Sequence, residues 1–256
     1  KTVAITFDDA YKSIFYEANA LLQEFNFPYT VFVNTAPLDN KGGSYLTWEQ
    51  VRELVNQGVS IGSHSHTHDF LIRYKEDENE IAYTKRVRED INTSIEIIKE
   101  KTNLDVTMFA YPFGEYTKAL QNIVKSFSLY GIAQKSAPIG KNFNTLAVSR
   151  FPMMDKYASM ERFKLVVDTK AFNVIEERVE KRVMLEEELE GKFFTLKIKK
   201  DDFDASSINC FSNGERLDIN KSITSSSIDI TMQLPLWKEG RAKINCTAPS
   251  LSTNSF

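Results

Sequence analysis

The sequence predicts an α/β domain followed by a small all-β domain. Over roughly the first 170 residues, short apolar strands alternate with amphipathic helices, which is typical of a parallel sheet with crossover helices. After Gly191 apolar and polar residues alternate with a period of two, which predicts a small antiparallel β-sandwich. The segment between these patterns is densely charged. We therefore expect domains at residues 1–172 and 192–256, joined by a charged linker or helix at residues 173–191.

The elements of the first domain follow from two periodicities. Short apolar runs bounded by polar residues predict strands at residues 2–7, 29–33, 59–63, 108–111, 130–134 and 146–149. Apolar residues at helical spacing predict helices at residues 11–25, 48–56, 77–101, 118–127 and 160–171. Such a run of βα units is compatible with a barrel and with a doubly wound sheet, and the pattern alone does not choose between them.

The second domain contains both cysteines of the chain. Phe194, Leu196 and Ile198 alternate with polar residues, and Asn213-Gly214 is a strong hairpin signal. Cys210 and Cys246 fall on the inward faces of their predicted strands, so both sulfurs should point into the sandwich. A disulfide would contribute roughly 3–4 kcal/mol in the loop-entropy model. Two buried free thiols are equally compatible with the pattern.

Composition excludes several classes of function. Hydrophobic residues make up 42% and charged residues 26%, the balance of a globular protein with a real core. A net charge of -3 argues against a nucleic-acid partner, and the apolar runs are too short for a transmembrane segment. Because a predicted strand begins directly after Lys1, and Lys1 is not Met, we expect a preceding segment to have been removed.

Two adjacent carboxylates, Asp8 and Asp9, follow the first predicted strand. Strand ends are where α/β folds place their functional sites. One of the two could simply cap the helix that follows. Two like charges side by side repel each other, however, and a bound cation would remove that repulsion.

All three histidines of the chain, His64, His66 and His68, lie within five residues after the third predicted strand. A polar turn is the alternative interpretation, but a chance clustering of this kind would be rare. His64 and His68 are four apart, within reach of one ion. Two imidazoles and a carboxylate suit Zn²⁺ or a neighbouring first-row metal and leave positions open for water and substrate.

A third motif, Tyr111-Pro112-Phe113-Gly114, again follows a strand and would by itself indicate only a tight turn. With Asp8-Asp9 and the histidine cluster, in this order and spacing, it resembles the polysaccharide deacetylase family (nodulation-protein-type deacetylases, carbohydrate esterase family four). The resemblance covers about residues 1–170 and implies a distorted (β/α) barrel.

The resemblance also implies a role for each matching residue. Asp9, His64 and His68 would bind a divalent metal, most simply Zn²⁺, with Co²⁺, Ni²⁺ or Fe²⁺ as alternatives. Asp8 would be the general base, and the Phe113 backbone N–H would contribute to the oxyanion hole. The implied substrate is an N-acetylated polysaccharide or oligosaccharide.

Two departures from the family pattern matter. Ala110 stands where an Arg is usual, a form similar to that of deacetylases acting on poly-β-1,6-N-acetylglucosamine. The His that usually serves as general acid has no counterpart outside residues 64–68. The acid could lie in a missing segment, be supplied by Asp8 or His66, or be absent from a weak enzyme. We favour Asp8 as a bifunctional shuttle and expect His66 to support the ligands rather than bind metal.

Tyr11, Tyr111 and Pro112 adjoin the predicted site and are the expected substrate contacts. The favoured function is an extracytoplasmic, metal-dependent N-deacetylase of a polysaccharide that contains N-acetylglucosamine. A carbohydrate-binding pseudoenzyme and a small-molecule amidase or O-deacetylase on the same fold are the alternatives.

Overall fold

The computed structural model describes residues 2–40, 43–238 and 240–252, and these form two compact units. The first unit contains the described residues up to Lys135 together with Asn144–Ser149. The second contains Ser136–Phe143 and the described residues from Arg150 onward. The expected end of the first domain at residue 172 stays a prediction. Among the described residues, no helix has the length and apolar character needed to cross a bilayer.

The first unit is built on a five-stranded parallel sheet that curls into a half-barrel, as the family resemblance leads one to expect. Its strands lie in the order β1-β2-β3-β4-β5: Ile5–Phe7, Tyr29–Val33, Ser60–Ser63, Met108–Ala110 and Tyr130–Ile132. Because every neighbouring pair is parallel, the carboxyl ends of all five strands meet at one edge. The loops that carry the three motifs therefore share that edge.

The strand predicted at residues 146–149 is wrong in extent, since this segment forms only a single bridge between Val148 and Ile132. The reason lies in the carbonyl of Leu146. It accepts hydrogen bonds from the Tyr111 hydroxyl (2.9 Å) and the Gln121 side-chain amide (3.1 Å). Side chains thus occupy a carbonyl that a continuous strand ladder would use.

The helices of the first unit connect the strands of the sheet, and their apolar residues share core clusters with strand residues. They are α1 Asn19–Glu24, which continues a π-helical turn at Ile14–Ala18, α2 Thr35–Asp39, α3 Trp48–Asn56, α4 Glu80–Thr102 and α5 Lys118–Ser126. The long helix α4 begins where the Asn79 side chain accepts a bond from Ala82 N (2.9 Å), three residues later than predicted. Its buried stripe of Tyr83, Val87, Ile91, Ser94 and Ile98 has the expected helical spacing.

The second unit contains a helix and two antiparallel sheets, and its period-two pattern is confirmed as strands. The elements are α6 Met160–Asp168, β6 Val174–Arg178, β7 Phe193–Lys199, β8 Asn209–Ser212, β9 Glu215–Arg216, β10 Asn220–Ile223, β11 Ser227–Gln233 and β12 Asn245–Thr247. One sheet has the order β10-β11-β7-β6 and the other β12-β8-β9. Apolar side chains from both sheets share one core cluster. The sandwich arrangement itself stays a prediction.

The prediction of a linker or helix at residues 173–191 is wrong for its first part, because β6 lies there and pairs with β7. This strand is at the edge of its sheet, where charged residues are common because they oppose edge-to-edge aggregation. Arg178 pairs with Glu176 (2.7 Å), and Arg182 pairs with Glu177 (2.6 Å). Because of these charges, the sequence pattern predicted a linker or helix instead of a strand.

The two cysteines form a disulfide between β8 and β12, which decides the alternative that the sequence left open. Cys210 and Cys246 are directly opposite each other in the antiparallel pair, with 4.0 Å between their Cα atoms. Cys210 is fully buried in the core of the second unit. The bond closes a chain separation of 36 residues.

We predict that replacing both Cys210 and Cys246 with alanine lowers the free energy of unfolding of the second unit by roughly 3–4 kcal/mol, because the unfolded chain regains loop entropy. Urea denaturation followed by circular dichroism measures the change, with the oxidised wild type as reference. A loss under about 1 kcal/mol would show that the loop-entropy account does not hold here.

Candidate metal centre

Three side chains from two different strand ends come together at the carboxyl edge of the parallel sheet. Asp9 follows β1, and His64 and His68 follow β3. Asp9 Oδ1 lies 3.6 Å from His64 Nε2 and 3.3 Å from His68 Nε2. One ligand atom from each residue lies within 4.8 Å of the others, a grouping able to hold a metal ion.

The spacing of these atoms fits a small divalent ion. Ligands about 2.1 Å from a tetrahedral ion are about 3.4 Å from one another, close to both observed separations. His64 is almost fully buried, and its Nδ1 lies 2.8 Å from the carbonyl oxygen of Ala110. Since a carbonyl only accepts, Nδ1 carries the proton and the Nε2 lone pair faces Asp9. The donor set therefore fits a Zn²⁺-type ion.

His68 is electrostatically suited to ligation. Burial lowers the pKa of His68, and the neighbouring His64 lowers it further, whereas Asp9 and Asp8 oppose this shift. The net direction is downward, so the ring is neutral at physiological pH. A neutral imidazole is the form that binds metal.

The backbone around the cluster is strained without the use of glycine. Asp9 (φ 69°), Ala10 (φ 57°), Ser65 (φ 68°) and His68 (φ 61°) all lie in the left-handed region. Such residues cost energy and persist where surrounding contacts over-determine them, often at functional sites. The Ser65 hydroxyl oxygen accepts a bond from His68 N (2.9 Å) and so stabilises the turn between the two histidines.

His66 lies outside the ligand cluster. Its Nδ1 is 2.8 Å from the hydroxyl of Thr35, the first residue of α2. A supporting role, as expected from the sequence, agrees with this contact. The ring is tied to α2 rather than grouped with Asp9, His64 and His68.

Asp8 lies beside the cluster. Its Oδ2 is 4.0 Å from His64 Nε2, and the side chain is 16% exposed. The same oxygen accepts a hydrogen bond from Gln134 Nε2 at 3.4 Å. The sequence did not single out Gln134, and the only available signal was its position just after β5.

Phe113 lies next to His68 in the turn that follows β4. Its backbone is left-handed (φ 58°, ψ 3°), and its ring contacts His68 with 4.7 Å between centroids. Phe70 stacks on the Phe113 ring, with 4.0 Å between the ring centroids and an angle of 11° between the ring planes. A Cβ on Gly114 (φ +70°) would come within 2.4 Å of Gln134 Cβ, so this turn requires glycine. The oxyanion role of the Phe113 N–H stays a prediction.

Residues 1–132 match the family model described as polysaccharide deacetylase. The chain belongs to the polysaccharide deacetylase family. A curated relative, YxkH of Bacillus subtilis (strain 168), whose name assigns it to this family, is 28% identical over 120 residues. The match covers 46% of this chain and 39% of that protein. The chain thus spans about two fifths of the length of this relative.

Two solved structures are similar to this polysaccharide deacetylase family member over little more than half of its length. The deacetylase domain of BpsB from Bordetella bronchiseptica is 25% identical with a TM-score of 0.52, covering 57% of this chain and 69% of that chain. IcaB from Ammonifex degensii is 25% identical with a TM-score of 0.51, covering 59% and 66%.

The three expected substrate contacts differ in their exposure to solvent. Tyr11 is 41% exposed and stacks on Tyr45 with 5.0 Å between ring centroids. A hydrogen bond with Tyr45 raises the pKa of Tyr11, as do burial and the nearby Asp9 carboxylate. Tyr11 therefore offers an aromatic surface beside the cluster, and its contact with substrate stays a prediction.

Tyr111 is wrong as a substrate contact because its side chain is 0% exposed. Its hydroxyl donates to the Leu146 carbonyl oxygen (2.9 Å), and burial raises the pKa of this phenol. The ring fills space that Gly131 leaves open, since a Cβ there would lie 2.5 Å from the Tyr111 hydroxyl oxygen. Pro112 is also buried, so its side chain belongs to the turn rather than to an exposed surface.

We predict that Tyr11→Ala changes the KM for substrate, whereas Tyr111→Phe changes only the free energy of unfolding. Tyr111→Phe removes a partly buried hydrogen bond and lowers the free energy of unfolding by only about 1 kcal/mol, because Gln121 still donates to the Leu146 carbonyl. Tyr11→Ala removes the stacking on Tyr45, which costs about 0.5–1.5 kcal/mol of stability, and raises KM for an acetylated oligosaccharide. Thermal unfolding and steady-state kinetics of both variants test this, and a larger KM change in Tyr111→Phe would contradict the assignment.

Proposed function

We propose that this chain is a metal-dependent hydrolase that removes N-acetyl groups from a polysaccharide containing N-acetylglucosamine. The observation that carries the proposal is the grouping of Asp9, His64 and His68 at ligand distance, with the Asp8 carboxylate 4.0 Å from His64. Membership of the polysaccharide deacetylase family supports the reaction class. Zn²⁺ is the proposed ion because two imidazoles and one carboxylate are donors that it favours.

Each residue of the site has a separate task in amide hydrolysis. Asp9, His64 and His68 would hold the ion, which when bound makes water more acidic and polarises the acetyl carbonyl. Asp8 takes the proton of the attacking water as the C–O bond forms. The Phe113 N–H donates to the oxyanion that develops on the carbonyl oxygen. The C–N bond then breaks and releases acetate and the free amine.

Asp8 is also the proposed proton donor to the leaving amine. It holds the proton taken from water and lies beside the ligand cluster, so one carboxylate can serve both steps. The hydrogen bond from Gln134 orients Asp8 Oδ2 beside the ligand cluster. The contact of His66 with Thr35 supports Asp8 over His66 as the acid.

The substrate and the location are proposed on further grounds. The form Phe109-Ala110-Tyr111-Pro112 resembles that of poly-β-1,6-N-acetylglucosamine deacetylases, and the similarity to the BpsB deacetylase domain agrees with a deacetylase activity. Tyr11 would stack on a sugar ring. The disulfide between Cys210 and Cys246 supports an extracytoplasmic location, because such bonds persist in oxidising compartments. A distorted (β/α) barrel and a β-sandwich are the proposed domain architectures.

Acetate release from a panel of N-acetylated glycans tests the proposal. We expect the zinc-loaded chain to release acetate from N-acetylglucosamine oligomers, to lose this activity on chelation, and to regain it when Zn²⁺ or Co²⁺ is added. An O-acetylated sugar and a small acetamide serve as comparison substrates. Metal binding without release from any substrate would favour a carbohydrate-binding pseudoenzyme instead.

We predict that Asp8→Asn keeps the metal and loses turnover. Asp8 lies outside the ligand group, so the zinc content should match that of the wild type, while kcat falls by about 10²–10⁴-fold for want of a base. Zinc content by elemental analysis and acetate release are measured on the same sample. Asp9→Asn is the matched variant and should lose both metal and activity. Loss of metal in Asp8→Asn would show that Asp8 is a ligand rather than the base.

A further inference from the structure

The Asp90 carboxylate binds the chain segment between the two histidine ligands. Its Oδ1 accepts a hydrogen bond from His66 N at 3.0 Å. Its Oδ2 accepts from Thr67 N at 3.0 Å and from the Thr67 hydroxyl at 2.7 Å. One side chain in α4 therefore accepts three hydrogen bonds from two consecutive residues of the loop.

Helix α4 is a fixed support for this carboxylate. Ser94, one helical turn after Asp90, hydrogen-bonds through its hydroxyl to the hydroxyl of Ser63 at 2.8 Å, and both residues are fully buried. Val87 and Ile91 on the same side of the helix are also fully buried. Ser63 ends β3 and directly precedes His64. The helix is thus attached to the strand immediately before the loop that Asp90 holds.

The loop depends on outside contacts because its own backbone is unfavourable. Ser65 and His68 both have left-handed φ angles, and neither is glycine. Residues in this region keep their conformation only when neighbouring structure imposes it. Asp90 supplies such contacts from α4, and the hydrogen bond between His66 and Thr35 supplies another from α2.

We propose that Asp90 is a positioning residue that holds His64 and His68 at ligand spacing and thereby sets the metal affinity of the site. The inference rests on the proposed function for the nature of the ligand. Asp90 belongs to neither the metal-ligand group nor the reacting groups, and it acts through the backbone at residues 66–67. A carboxylate accepts at both oxygens, whereas an amide of the same shape would present N–H groups to at least one backbone donor.

The affinity of the full chain for Zn²⁺ alone tests this proposal, by competition with a chromogenic chelator at neutral pH. We expect Asp90→Asn to raise Kd by about 10–100-fold, the usual effect of losing a residue that orients metal ligands. Glu89→Gln is the matched control, because Glu89 is exposed on the same helix and pairs only loosely with Lys85 (3.8 Å). It should leave Kd within about twofold, the change expected of a surface ion pair.

Kinetics separate positioning from general damage to the fold. At saturating Zn²⁺ the kcat of Asp90→Asn should return close to the wild-type value, since Asp90 does no chemistry. An unchanged Kd would overturn the proposal, and so would a lowered Tm without a change in Kd, which would indicate a structural role only. Asp90→Asn is used rather than Asp90→Ala because it keeps the size and shape of the side chain. If the wild type itself bound no Zn²⁺, the proposed function would fall and this inference with it.

Discussion

The site depends on one constraint, the parallel pairing of each strand from β1 to β5 with the next strand in the sheet. Five parallel strands in sequential order end at one edge, so segments far apart in the chain meet there. The bond from His64 Nδ1 to the Ala110 carbonyl joins two of these segments directly, the end of β3 and the end of β4. Sheet geometry therefore determines where the ligands lie, and this hydrogen bond determines which nitrogen of His64 faces Asp9.

The parts of the fold that sequence could predict are those in which local periodicity and tertiary environment agree. The strand Tyr29–Val33 and the helix Trp48–Asn56 have the predicted bounds, because one is an apolar run in a buried strand and the other has a capping box at Thr47. The edge strand Val174–Arg178 was not predicted, because its charged residues suit the edge of a sheet and therefore do not form the alternating apolar pattern of a buried strand. The interruption at Leu146 depends on side chains from other elements, which no local pattern records.

In the candidate site, the groups proposed for chemistry were predictable and the groups that hold them were not. His64 and His68 stand close together in the sequence, where their spacing is visible. Asp90 is 24 residues from His66, and Gln134 is 126 residues from Asp8, so only the folded chain brings them together. The error at Tyr111 has a related cause: membership of a motif does not determine whether a side chain faces the site or the protein interior.

A division of tasks follows from these contacts. The residues proposed for chemistry do not hold their own conformations: Ala110 orients the His64 ring, Gln134 contacts Asp8, and α2 and α4 support the histidine loop. A strained loop held from both sides keeps its nitrogens at ligand spacing, so less ordering is required when an ion binds. Asp8 and Asp9 are adjacent in the sequence and carry like charges, and a bound cation reduces the repulsion between them. The same like charges therefore favour a cation at that position.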